Sequence, residues 1–324
     1  MSKLFLILFV STLAYSKQFS VSGVSSGAAM AVQLHVAHSA DCTGAGIIAG
    51  PPYYCAKNSL VIASTACATT PYLLDISPLI RYTQEQSREG TIDDYNNLKA
   101  NTKGIWIFSG LLDTVVNQHI VKQLQKFYES FIPSYKITSV YNVAAQHSWV
   151  TNSYGGLCVY LGWPFINNCN LDAAGHILYQ IYGNIKPAVT PLVENLRQFD
   201  QTIYVDITQA VMENTGFIYI PSGCQNINNE CLVHVAIHGC LQNYNSVGDR
   251  FVSNNGLNGY AEANNIIVIY PQVAVDIIAN PQGCWDWWGY TGSDYALKSG
   301  LQVSAIYKMT QSIPLLSDYQ MLFI

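Results

Sequence analysis

Two hydrophobic periods take turns along this chain. Apolar strand-like runs at 19–24, 45–49, 104–108, 137–141, 216–220, 232–237 and 266–270 read as strands. Longer stretches of good helix formers at 28–38, 118–131, 172–182, 257–263 and 301–310 read as helices. Alternation of the two predicts an α/β class with a mostly parallel central sheet flanked by helices. No internal repeat or low-complexity segment interrupts it. The stretch 187–201 is the one candidate seam, and residues 17–324 are expected to form a single domain.

The strand at 19–24 runs into Gly23-Val24-Ser25-Ser26-Gly27 and then into an Ala-rich helical stretch. That is the layout of a nucleophile elbow, in which a sharp strand-to-helix turn lifts the middle serine, and glycines on either side let the backbone pass closely. Ser25 is therefore the candidate nucleophile, and the following helix N-terminus would favour an oxyanion. A Ser/Gly-rich turn between two buried elements is the alternative. Gly44-Ala-Gly46 does not make a dinucleotide site, because the third glycine falls one place late and Pro51-Pro52 disrupts the helix start.

A serine nucleophile needs a base and an acid to orient that base. Asp113 follows the predicted strand 104–108 and His147 follows 137–141, which gives the Ser, Asp, His order usual after an elbow. For Asp113 the alternative is a cap of the helix at 118. For His147 it is a satisfied, half-buried side chain beside Trp149. His35, His38, His119 and His176 fall on predicted helices, where a core or surface role fits better. Backbone N–H groups of an oxyanion hole should come from Ser26 and from a loop after another strand, and His238-Gly239-Cys240-Leu241 fits that loop chemically. It lies more than two hundred residues after the serine, where such loops ordinarily precede it. Moving residues 202–310 ahead of Gln18 restores the usual hydrolase order, so the chain reads as circularly permuted.

Composition narrows the partners. Half of the 324 residues are hydrophobic and 11% are charged, with a net charge of −5, which suits a large core and leaves no basic footprint for nucleic acid. Residues 1–16, with Lys3, an apolar run at 4–10 and small residues near Ser16, read as a secretory signal too short to span a bilayer; a buried N-terminal strand is the alternative. Nine cysteines support export. Cys55/Cys67, Cys158/Cys169, Cys224/Cys231 and Cys240/Cys284 lie in neighbouring pairs and leave Cys42 over, a pattern that favours disulfides over metal without fixing the connectivity. No metal or cofactor is expected.

With these motifs in order, the chain resembles the circularly permuted extracellular poly(3-hydroxybutyrate) depolymerases of the single-domain fungal type. The resemblance rests on Ser-Gly-Val-Ser-Ser-Gly around Ser25, Gly-x-x-Asp-Thr-Val around Asp113, the His147 loop, the run from His234 to Gln242 and Gly283-Cys-Trp-Asp-Trp287, across roughly 19–310. It implies an α/β-hydrolase fold, a triad of Ser25, His147 and Asp113, an oxyanion hole from the N–H groups of Ser26 and Cys240, and disulfides joining the four neighbouring pairs. Ala28-Ala29, Cys42 and the tail 314–324 depart from the pattern.

Three of the six tryptophans fall in Cys284-Trp285-Asp286-Trp287-Trp288-Gly289-Tyr290. Trp285, Trp287, Trp288 and Tyr290 are candidate apolar walls for a short-chain aliphatic polyester, with core packing as the alternative. The expected function is a secreted, monomeric serine esterase acting on a polyester or its oligomers, with no nucleic-acid partner and no membrane span. A feruloyl or acetyl esterase acting on polysaccharides is the enzymatic alternative. A hydrolase-like binding protein with a dead site is the other.

Overall fold

Parallel strands covered on both faces favour apolar residues on both, which is why Gly104–Phe108 and Ile266–Tyr270 read as unbroken apolar runs, whereas Phe19–Val24 alternates and buries Ser20 and Ser22. The computed structural model describes residues 17–226 and 230–313, so the expected signal 1–16 and the tail 314–324 lie outside the described residues. The strands are β1 (Phe19–Val24), β2 (Cys42–Ile48), β3 (Gly104–Phe108), β4 (Ile137–Val140), β5 (Trp149–Thr151), β6 (Gly156–Leu157), β7 (Ile166–Asn168), β8 (Leu196–Asp200), β9 (Thr215–Tyr219), β10 (Leu232–Ile237) and β11 (Ile266–Tyr270). An eight-stranded sheet has the order β4-β3-β2-β1-β10-β11-β9-β8. Pairing is parallel from β4 through to β11, and antiparallel from β11 to β9 and from β9 to β8. Every residue of β1, β2, β3 and β11 is buried.

Helix Ser26–Ala37 is buried on all sides, so it shows no amphipathic stripe; its alanines allow close approach to β1 and β2. It packs beside helix Leu301–Gln311, while Ala173–Tyr182 packs beside Leu257–Asn264. Gly44 and Gly46 are spacers for helix Ala173–Tyr182: a methyl on Gly46 would sit 2.6 Å from Ile177 Cγ1, and one on Gly44 2.9 Å from Ile181 Cγ1. The Gly-Ala-Gly run is thus a packing device within the sheet.

Some elements differ from the sequence expectation. Residues Leu196–Asp200, inside the stretch read as a seam, form edge strand β8 and pair along their length with β9. Only Phe199 of this strand is buried, and polar edge strands carry little hydrophobic signal. Helix Ser77–Glu89 lies outside the helices expected from sequence because only Leu79 and Thr83 are buried; proline in its first turn and Gly90 in the left-handed region (φ 75°) bound it. A three-stranded sheet, β5-β7-β6, is built from pieces too short to show a period.

The connectivity that spacing left open is that of nearest neighbours. Cys55 is bonded to Cys67, Cys158 to Cys169, Cys224 to Cys231 and Cys240 to Cys284. The first three close loops with sequence separations of only 12, 11 and 7, so each staples one local turn, whereas Cys240 and Cys284 are 44 apart and join two loops of the fold. Cys42 is a buried free thiol whose pKa burial pushes up, leaving it inert. Among the described residues no helix is long and apolar enough to cross a membrane.

Candidate active site

The parallel pairing sends the loops after β1, β3, β4 and β10 to one edge of the sheet, the carboxyl edge at which open α/β sheets carry their sites. Ser25 sits at the first of these turns with φ 58° and ψ −123°, a conformation that costs a non-glycine residue on the order of 1–3 kcal/mol. The fold holds it there from both sides. Its N–H donates to Ile48 O at 2.9 Å, and its carbonyl accepts from Ala29 N at 3.0 Å to start the helix. A methyl on Gly23 would lie 2.2 Å from Gly27 O, and one on Gly27 would lie 2.3 Å from His238 O. Both flanking glycines are therefore required by backbone crossing, and the elbow expected from sequence is formed.

Asp113 and His147 meet across neighbouring loops. Asp113 Oδ2 is 2.9 Å from His147 Nδ1, while Oδ1 accepts from Val115 N at 2.9 Å and Val116 N at 2.8 Å. The carboxylate only accepts, so Nδ1 carries a proton and donates it to this bond. The two side chains of the pair are 8% and 1% exposed, which shields it from water. The capping alternative is met by another residue, since Asn117 caps the helix Gln118–Glu129 through His119 N.

The two loops are laced together. Leu111 N donates to Val143 O (2.8 Å), Leu112 N to Ala145 O (3.1 Å), and Gln146 Oε1 accepts from both Thr114 N and His147 N at 3.0 Å. Gln146, which carries no recognisable sequence signal, is therefore the brace between the Asp113 and His147 loops. Among the described residues Ser25 Oγ has no hydrogen bond to His147; such contacts commonly tighten when substrate arrives.

The loop after β10 lies directly against the elbow, for a Cβ on Gly239 would be 3.2 Å from Ser25 Cβ. Its internal bonds select one free donor. Gly239 N–H is held by Gln242 Oε1 (2.8 Å) and Leu241 N–H by Gln282 O (2.8 Å), while Cys240 N–H has no acceptor among the described residues. Ser26, as the first helical residue, likewise has an N–H without an intrahelical acceptor. His238 is buried, and burial lowers its pKa to about 4, so the ring is neutral: Nδ1–H donates to Gly239 O at 2.7 Å and Nε2 accepts from Val273 N at 3.3 Å. Gln242 Nε2 reaches Pro164 O and Phe165 O, and the Cys240–Cys284 disulfide closes the loop from the other side. His238 and Gln242 escape sequence reasoning as supports, although both lie in the His234–Gln242 run.

The bridged cysteines divide by their distance from this chemistry. Cys240 lies in the candidate oxyanion loop and Cys284 anchors it. Cys158 touches the Asp113–His147 pair at one remove, since its carbonyl accepts from Gln146 N at 2.8 Å, and Cys169 anchors the far end of that segment through its N–H to Thr151 O at 2.9 Å. Cys55, Cys67, Cys224 and Cys231 fasten loops and supply no group to the triad or to the oxyanion donors.

The aromatic cluster divides too. Trp285 is fully buried, its ring 5.5 Å from that of His238, so as a substrate wall it is corrected: it backs the oxyanion loop and offers no surface. Trp287, Trp288 and Tyr290 are half-buried, with Trp288 and Tyr290 ring centroids 4.9 Å apart. The Tyr290 hydroxyl turns inward to Cys284 O at 2.7 Å. Asp286 is the knot of this loop, accepting from the N–H groups of Trp288, Gly289, Tyr290 and Thr291, even though burial raises the pKa of its carboxyl.

No known family model matches the chain. It is 41% identical over 300 residues to a poly(3-hydroxybutyrate) depolymerase of Delftia acidovorans, covering 91% of the chain and 59% of that relative, so the chain spans under two thirds of that protein's length. It is 35% identical over 309 residues to a polyhydroxybutyrate depolymerase of Talaromyces funiculosus, covering 91% of the chain and 88% of the relative. Two solved structures superpose with TM-score 0.83 at 33% identity, covering 91% of this chain and 95% of theirs: the PHB depolymerase of Penicillium funiculosum, and a serine-to-alanine PHB depolymerase complexed with an R3HB trimer. With an α/β-hydrolase architecture and relatives matched along nearly the whole described chain, this protein belongs to the polyhydroxybutyrate depolymerase family.

Proposed function

We propose that the protein is a secreted serine esterase that hydrolyses poly(3-hydroxybutyrate) or its oligomers, with Ser25 as nucleophile, His147 as base and Asp113 as its orienting acid. The observation that carries this reading is the 2.9 Å Asp113 Oδ2–His147 Nδ1 pair on the sheet edge that also bears the elbow serine. Ser25 Oγ attacks the ester carbonyl while His147 Nε2 takes its proton. The carbonyl oxygen, now negative, is received by the N–H groups of Ser26 and Cys240. Collapse expels the alcohol, protonated by His147, and water activated by the same imidazole then releases the acid from Ser25.

Support for the substrate comes from the relatives' names and from the trimer bound in one solved neighbour. Support for secretion comes from the four disulfides and the leader-like composition of 1–16. The same reading takes the fold as circularly permuted: the oxyanion loop follows the serine in the chain, yet β1 and β10 are neighbours, and Lys17 and Gln311 are joined by hydrogen bonds of 2.7 and 3.0 Å. Exposed Leu111, Leu112 and Val115 beside Asp113, with Leu241 beside Cys240, would give a solid polymer an apolar rim to rest on.

A fluorophosphonate followed by peptide mapping, together with hydrolysis of hydroxybutyrate trimer, polymer film, an aryl ester and feruloyl or acetylated sugars, tests the proposal. Label on Ser25 and preference for the trimer or film are expected. Faster cleavage of the sugar esters replaces the substrate, and no label on an intact protein removes the enzyme reading altogether.

A further inference from the structure

Between β1 and β10 lies a buried polar chain that the chemistry above does not use. His234 faces Ser20 in the parallel register, and its ring is entirely enclosed. Nδ1 is 2.6 Å from Ser20 Oγ and Nε2 is 2.7 Å from Ser22 Oγ; Ser20 Oγ is in turn 2.6 Å from the Tyr182 hydroxyl, which lies 3.1 Å from Val233 O. The terminal carbonyl can only accept, and this fixes every proton. Tyr182 donates to Val233 O, so Ser20 donates to Tyr182, His234 Nδ1–H donates to Ser20, and Ser22 donates to His234 Nε2. One neutral tautomer satisfies all four groups, and burial, which lowers the ring's pKa to about 3, maintains it.

The position of this clamp gives it a function. Ser22 is three residues before Ser25 on β1, and His234 is six residues before Cys240 on β10. These two strands deliver the two halves of the proposed oxyanion hole, and their side-by-side offset sets the spacing of the Ser26 and Cys240 N–H groups. Backbone pairing tolerates small slides; a ring bonded to two serines of the neighbouring strand tolerates much less.

We propose that His234 is a positioning residue for the oxyanion hole, holding β10 in register with β1 through Ser20 and Ser22. The inference rests on the Ser25 nucleophile reading. The test uses Ser22→Ala, which deletes one link with the least loss of volume, and His234→Leu, which deletes both, with His234→Gln as the conservative rescue. Each is assayed for kcat and KM on hydroxybutyrate trimer and for affinity toward a boronate that forms a tetrahedral adduct. Misplaced donors weaken the tetrahedral species most, so kcat is expected to fall about tenfold in Ser22→Ala with KM within twofold, and boronate affinity to fall in parallel. Less loss is expected in His234→Gln than in His234→Leu.

A Ser22→Ala protein with a lowered melting temperature but unchanged kcat and boronate affinity reduces His234 to a core residue and overturns the inference. If His234→Leu does not fold, Ser22→Ala decides alone. Ser25→Ala retaining full activity would instead remove the nucleophile reading itself, so the two failures are separable.

Discussion

The backbone N–H of Trp285 donates to the hydroxyl of Ser26 at 3.3 Å. The residue after Ser25 is thereby tied to the residue after Cys284, and Cys284 is bonded to the cysteine whose N–H completes the proposed oxyanion hole. Elbow, candidate oxyanion loop and aromatic segment are therefore bonded to one another.

That tie sets the expected difference between the two serines. Ser25→Ala should lower kcat by about 10⁴-fold or more with the fold intact, since a lone side chain is lost at a partly exposed apex. Ser26→Ala keeps its N–H but orphans Trp285 N–H, and should cost about tenfold or less. Steady-state kinetics on an aryl ester, with circular dichroism to verify folding, separates them. Equal losses would mean that the elbow carries its chemistry differently.

Burial makes Trp285 and its neighbours behave as separate classes. Trp285→Ala empties a site in the core and should destabilise by about 3–5 kcal/mol, lowering activity on all esters alike. Trp287→Ala and Trp288→Ala, on half-buried rings, should raise KM for the trimer while leaving a small aryl acetate nearly unchanged. Denaturant midpoints paired with KM values for both substrates check the division. A Trp288→Ala effect that is the same on both substrates would take the rings out of substrate recognition.

The Cys240–Cys284 bridge closes a loop with a sequence separation of 44, for which the chain-entropy model gives about 4 kcal/mol. The paired substitution Cys240→Ser with Cys284→Ser should lower kcat at temperatures below its own unfolding transition, because Cys240 N–H loses its anchor. Activity measured across a thermal melt shows whether catalysis is lost first. Coincident loss of activity and structure would make the bridge a stability element only.

Acid should destabilise the fold well before its carboxylates are titrated. Burial lowers the pKa of His35 and His234 to about 3 and of His38 and His238 to about 4, against about 6.5 when unfolded. Between these limits the unfolded chain binds protons that the native chain refuses, so stability falls as pH drops below about 6.5. The slope is about 1.4 kcal/mol per pH unit for each fully buried ring. Urea midpoints at pH 7.5 and pH 5.5 should differ clearly. A flat profile would show that these rings are protonated in the native state.

The sequence by itself determined the elements that are locally consistent. Burial on both faces wrote β3 and β11 as apolar runs, and the backbone crossing at the elbow demanded Gly23 and Gly27, so the strand, turn and helix around Ser25 were legible. Asp113, His147 and Cys240 stood out as candidates because each follows a strand, and position after a strand is a one-dimensional property. Only the tertiary structure decided what joins them. Gln146 braces the Asp113 and His147 loops, Gln242 occupies the Gly239 N–H beside Cys240, and His234 bridges two strands distant in sequence; their bonds close over loops that no local pattern encodes. The burial of Trp285 belongs to the same class, because a tryptophan reads alike in sequence whether it lines a crevice or stands behind one. Polar β8 and helix Ser77–Glu89 were hidden for the complementary reason: each buries too few side chains to leave a period.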